Sequence, residues 1–143
     1  MKRIMWIIGT LVILAVALAA YARLAPISVT DWHVAPEVAG EETLAGSYKT
    51  QVAMEGPVNE AQAQIKAIAL ATPRTKVLAE DDGLITFITR SAGFGFPDFT
   101  TVAFETSGDQ VTAKFYARLK IGKADMGVNK ARVQSWLAQL SDN

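Results

Sequence analysis

The chain has 143 residues with 14 basic and 14 acidic side chains, one histidine and no cysteine, which excludes disulfides, thiolate metal sites and a cysteine nucleophile and leaves His33 without a cysteine or a second histidine to share a zinc ion. Half of the residues are apolar, but a hydrophobic N-terminus inflates that share, and the remainder reads as one ordinary domain of about 120 residues. The neutral sum hides a gradient: residues 24 to 110 carry 5 basic and 12 acidic side chains, residues 111 to 143 carry 6 and 2, and Lys2, Arg3 and Arg23 flank the N-terminal run.

Nineteen residues without a charge separate Arg3 from Arg23. As a helix they rise roughly 28 Å, close to the hydrocarbon thickness of about 30 Å. From Ile4 to Leu18 the only hydroxyl is that of Thr10, so no polar face exists and the expected surroundings of residues 4–22 are lipid. Lys2 and Arg3 favour an N-terminus held in the cytoplasm, which sends everything after Arg23 across. The expectation is a single-pass anchor, residues 1–23, in a bacterial-type inner membrane with a periplasmic domain. Ala20-Tyr21-Ala22 offers small residues to a signal peptidase, so secretion after cleavage near Ala22 is the alternative.

From residue 24 to 46, Pro26, Pro36, Gly40 and Gly46 interrupt any periodicity, and the segment reads as a linker arm whose one dense spot is Asp31-Trp32-His33-Val34. The folded domain is expected over residues 47–143. Tyr48, Thr50, Val52 and Met54 alternate with Lys49, Gln51, Ala53 and Glu55, a strand stopped by Gly56-Pro57. Between Pro57 and Pro73, Val58, Ala61, Ile65, Ile68 and Ala69 recur at helical spacing. Thr75 to Glu80 and Leu84 to Arg90 form a hairpin around Asp81-Asp82-Gly83.

A glycine-rich corner, Ser91 to Asp98, leads to strands at about 99–106 and 110–120 joined by Ser107-Gly108-Asp109. In the second, Val111, Ala113, Phe115, Ala117 and Leu119 face a core, and Thr112, Lys114, Tyr116, Arg118 and Lys120 face water. Val133, Trp136, Leu137 and Leu140 then mark an amphipathic helix from about Val128 to Leu140. Hairpins with two helices predict an α+β fold, an N-terminal transmembrane helix followed by a small antiparallel sheet of about 4–5 strands covered on one face by two helices.

The corner Gly95-Phe96-Pro97-Asp98, and the run from Lys120 through Gly122, Asp125, Gly127 and Asn129 to Val133, resemble the domain-of-unknown-function 1499 family. Arg23-Leu24-Ala25-Pro26 and Trp32-His33-Val34 are similar to members with an N-terminal membrane segment. The resemblance covers most of the chain and implies a lineage without an established reaction. It departs where the family alternates serine with arginine: here Ala117-Arg118-Leu119-Lys120 keeps the basic parity and loses the hydroxyls.

Asp125, Asn129 and Arg132, spaced by four and three, gather a carboxylate, an amide and a guanidinium at a helix start. With Asp98, Arg118, Lys120 and Lys123 they form the candidate ligand-binding set for an anionic small molecule or lipid. The competing reading has Asp125 cap the helix, Gly127 allow the tight turn, and Arg132 hold the corner through an ion pair. Lys114, Tyr116, Arg118, Lys120 and Arg90 also suggest a basic, aromatic-bearing surface. Sparse Lys/Arg clustering argues against nucleic acid. No catalytic residue, metal ligand or cofactor is assigned. The leading functional expectation is a non-enzymatic accessory or scaffold for an envelope assembly with a membrane-protein partner, and hydrolysis by the Asp98 and Asp125 carboxylates is the weakest alternative.

Overall fold

The computed structural model describes residues 1–142, and the expected domain limit at residue 143 lies outside them. The charge-free run forms α1 (Lys2–Leu24). None of its most apolar 18-residue window is buried in the protein, and Ile4, Trp6, Leu11 and Leu14 are exposed. By length and composition α1 can cross a membrane, as an anchor or as a signal sequence.

Alternating patterns further along give six strands: β1 (Glu42–Leu44), β2 (Ser47–Met54), β3 (Thr75–Asp81), β4 (Leu84–Arg90), β5 (Pro97–Ser107) and β6 (Gln110–Leu119). They form one antiparallel sheet in the order β1-β2-β6-β5-β4-β3. Register aligns Tyr48 with Ala117, Phe115 with Val102, and Val102 with Ile85. Whereas β3 changes parity at a bulge between Val77 and Ala79, one parity of β2, β6, β5 and β4 therefore points to a common side. There α3 (Val58–Ala71) and α4 (Val128–Ser141) close the core. Ala61, Ile65, Ile68 and Ala69 of α3 and Val133 and Trp136 of α4 are its buried positions, and Trp136 meets Phe87 edge-on at 5.6 Å. The Trp136 indole nitrogen donates to Thr72 Oγ1 at 2.8 Å, which ties α4 to the residue where α3 stops.

The sheet has six strands where four or five were expected. The extra one, β1, arises inside the segment read as a linker and pairs with β2 across Ala45-Gly46. Its three residues are all exposed, so no alternating apolar signal announces it. Gly46 leaves room at that turn for the Leu119 side chain, since a Cβ there would fall 2.6 Å from Leu119 Cδ2 and the leucine would have to shift.

The segment from 24 to 46 also contains the short helix α2 (Val29–Trp32), and it lies across the second face of the sheet. Trp32 stacks on Phe99 with ring centroids 4.0 Å apart, and Phe99 and Val38 are buried. That face, expected to be wet, is therefore partly covered by the chain's own arm. All six strands run between two ends: the end holding Arg90, Pro97, Leu119 and Ser47 receives α1, and the opposite end carries the turns at Gly83, Gly108 and Gly56.

Candidate functional site

The candidate residues divide into two groups, because the register of β5 on β6 sets Asp98 opposite Leu119 and Phe99 opposite Arg118. Asp98 therefore points to the helix side and Arg118 to the arm side. Asp98, Asp125, Asn129 and Arg132 come together; Arg118 and Lys120 are behind the sheet, and Lys123 is in an exposed turn. The single corner expected from sequence is corrected in this respect, the cause being strand parity.

At the first group, Met126 (φ 53°) and Gly127 (φ 82°) both take left-handed backbone, which turns the chain sharply into α4. Asp125 caps that turn: Oδ1 accepts from the Gly127 amide at 3.0 Å, and Oδ2 accepts from the Asn129 amide at 2.9 Å and from Asn129 Nδ2 at 2.7 Å. Asn129, wholly buried, accepts from Arg132 through Oδ1 at 2.7 Å. Arg132 in turn donates to Asp98 Oδ2 at 3.1 Å. The four side chains form a closed relay from β5 to α4.

Electrostatics differ at its two ends. Burial raises the Asp98 pKa above the usual aspartate value, outweighing the hydrogen bond and charge of Arg132, and the Asp125 charge adds to the rise. Burial also acts to raise Asp125, but the bonds from Asn129 and Gly127, with its own backbone amide, outweigh it and lower the pKa. A cleft of about 360 Å³ reaches Arg132 between the ends of α3 and α4, and none of Asp98, Asp125 or Asn129 lines it.

On the arm side, Arg118 donates to the Trp32 carbonyl at 2.7 Å and to Thr101 Oγ1 at 3.1 Å. Its guanidinium lies over the Tyr116 ring at 4.5 Å, and burial lowers its pKa against a raising effect of Tyr116. Lys120 donates to the Pro26 carbonyl at 2.8 Å. His33 bonds Thr86 Oγ1 through Nδ1 at 2.9 Å and Asp81 Oδ2 through Nε2 at 3.1 Å. The order carboxylate, imidazole, hydroxyl is that of a nucleophilic relay, but Thr86 is 0% exposed, and its hydroxyl is also bonded to that of Thr101, so no substrate reaches it. The arrangement fastens the arm to the sheet.

A third cluster, not foreseen as a site, joins α1 to the domain. Ala22 is buried, and its carbonyl accepts from Arg90 at 2.8 Å, while the same nitrogen of Arg90 reaches the Gly95 carbonyl at 2.9 Å. In the other direction Arg23 donates to the carbonyls of Phe94, at 2.6 Å, and Gly93. Gly95 has φ 77°, and a Cβ there would meet Arg23 Cγ at 3.1 Å, so the glycine serves both the turn and the seat for the arginine. The glycine-rich corner was the visible signal; that Arg23 occupies it was not.

A family model described as a protein of unknown function (DUF1499) matches residues 21–140, and the chain belongs to that family. No curated protein matches the chain.

Proposed function

We propose that the protein is a membrane-anchored, non-enzymatic domain on the outer side of a bacterial-type inner membrane, acting as an accessory or scaffold in an envelope assembly. The observation that carries this reading is the reciprocal arginine clasp: Arg90 on the Ala22 carbonyl and Arg23 on the carbonyls of the 93–94 turn. A domain on a loose arm samples many orientations, whereas one clasped to the last turn of its helix presents its surfaces at a fixed height above the bilayer. Fixed presentation is what a scaffold needs. Orientation is supported by charge, since Lys2 and Arg3 precede the apolar run and residues 24–48 contain no lysine or arginine.

Affinity isolation of the full chain from detergent-solubilised membranes tests the reading. A defined membrane-protein partner, retained through several detergents, is the expected result. Recovery of free monomer alone in all of them refutes it.

A further inference from the structure

Beside the clasp is a cleft of about 280 Å³ lined by Arg23, Arg74, Lys76 and Arg90, with Ile88, Ser91 and Gly95 completing it. Four cations and no carboxylate line it, and among the described residues none of the four has an ion-pair partner. Elsewhere Lys49, Lys66, Lys114, Lys130 and Arg132 each pair with a carboxylate, while Lys2, Arg3, Arg118, Lys120 and Lys123 have no such pair among the described residues, so what sets the cleft apart is that four unpaired cations line one cavity. Hydrogen-bonding capacity also remains. Arg74 uses Nε on the Arg90 carbonyl, Arg90 uses one terminal nitrogen on the carbonyls of Ala22 and Gly95, and Lys76 is exposed with no hydrogen-bond partner among the described residues. Arg74 holds left-handed backbone at φ 60°, a conformation uncommon for a residue other than glycine. It is tied there by the Arg90 amide on its carbonyl at 3.0 Å.

Place decides what fills the cleft. The apolar run of α1 ends at Ala22, the residue whose carbonyl Arg90 holds, so with α1 in a bilayer the cleft falls at the level of the phosphates. Phe94 and Leu24, both exposed, and the Phe94 and Phe96 rings stacked at 5.5 Å are at the same end, where aromatic rings suit the interface between hydrocarbon and water. We propose that this cleft is a binding site for the headgroup of an anionic phospholipid of the membrane that holds α1. Guanidinium forks and an ammonium match the phosphodiester, and the cleft faces the ligand's own source. The inference rests on α1 being retained, which is part of the scaffold reading.

The test uses the full chain in neutral detergent, titrated with phosphatidylglycerol or phosphatidylcholine and read by native mass spectrometry. Each basic residue near an anionic lipid surface contributes about fivefold in affinity. The protein should bind one phosphatidylglycerol in preference to phosphatidylcholine, and Arg74→Gln with Lys76→Gln should weaken that binding about 25-fold. Lys76→Gln alone, at an exposed side chain without partners, should weaken it about fivefold with the melting temperature unchanged. Lys66→Gln, on α3, should leave it unaltered.

Equal binding of the two lipids overturns the proposal, as does undiminished phosphatidylglycerol binding in the Lys76→Gln protein. Inorganic phosphate binding as tightly as phosphatidylglycerol, and displacing it, would mark a site for soluble anions and would also overturn it. A membrane-extracted chain whose intact mass shows cleavage near Ala22 removes the premise for lipid and scaffold readings together. Lost lipid selectivity with a partner still recovered sinks the lipid site alone, and retained selectivity with no partner sinks the scaffold alone.

Discussion

Replacing Arg132 by methionine removes the guanidinium that closes the relay between β5 and α4, while keeping much of the side chain's stem against its neighbours. The Arg132 side chain is 10% exposed and that of Asp98 17%, so the pair is largely withdrawn from water, and taking away one partner of such a pair costs about 3–5 kcal/mol. Asn129 Oδ1 loses its donor as well, in a residue with 0% exposure, which adds about 1–3 kcal/mol. Against this, Asp98 can escape its unpaired charge by taking up a proton, since burial already raises its pKa. The net expectation is a loss of about 3 kcal/mol near neutral pH, or a melting temperature lower by about 12 °C for a domain of about 120 residues.

The sign of the pH dependence follows. Without Arg132 the folded pKa of Asp98 moves further above its unfolded value, so the folded variant binds the extra proton, and its stability falls as pH rises through that folded pKa. The deficit relative to wild type should therefore shrink on acidification. Near-UV circular dichroism melts of the full chain in detergent, which report the Trp136 environment, measure both effects. In the double variant Asp98→Asn with Arg132→Met, part of the loss should return. A single variant within about 0.5 kcal/mol of wild type at neutral pH, the range of an ordinary surface substitution, would refute a structural relay and reopen the corner as a ligand site.

Gly95→Ala should destabilise by about 1–2 kcal/mol, because φ is 77° and the new methyl meets Arg23; hydrogen exchange at residues 93–96 should quicken, and unchanged protection would break the clasp argument. Trp32→Ala should cost about 2–3 kcal/mol in denaturant unfolding, since the ring stacks on buried Phe99; no effect would return residues 24–46 to the status of a free arm. For Asp125 the folded pKa is lowered, so its contribution is present above the unfolded pKa and disappears as pH falls through the folded one. Asp125→Asn should flatten that acid limb in melts from about pH 6 to about pH 3, and an acid limb as steep as in wild type would contradict the capping role.

What was legible from sequence depended on whether the signal was periodic. Val133 and Trp136 on α4, the even and odd sides of β6, and the hairpin around Gly83 are repetitions within a dozen residues, and the structure has them where the pattern put them. The Asp125, Asn129 and Arg132 spacing likewise placed three side chains together. Trp32 was visible only as a dense spot, because its partner Phe99 is far along the chain and a lone aromatic carries no period. The inclusion of Arg118 with Asp98 failed for a related reason: residues on neighbouring strands share a side only in the right register, and register is set by turns whose length sequence does not fix. The serines absent before Arg118 and Lys120 fit this geometry, since Ala117 is buried beneath the helices while Arg118 and Lys120 bond the arm.

The charge gradient acquires a spatial meaning once the strand ends are known. Arg74, Lys76 and Arg90 belong by sequence to the acidic middle of the chain, yet β3 begins and β4 ends where α1 docks, so they gather with Arg23 at that end. The opposite turns carry Glu55, Asp82 and Asp109, none of them in an ion pair among the described residues. With α1 in a bilayer as proposed, an anionic surface attracts the basic end at close range, while the acidic turns, a strand length of roughly 25–35 Å away, lie beyond the screening length of about 8 Å and feel little of it. In the proposed membrane setting, the clasp and the basic end favour the same posture, with the acidic turns outward. The neutral sum conceals two signs gathered at opposite strand ends, and on the scaffold reading proposed above the acidic turns are the surface offered to a partner.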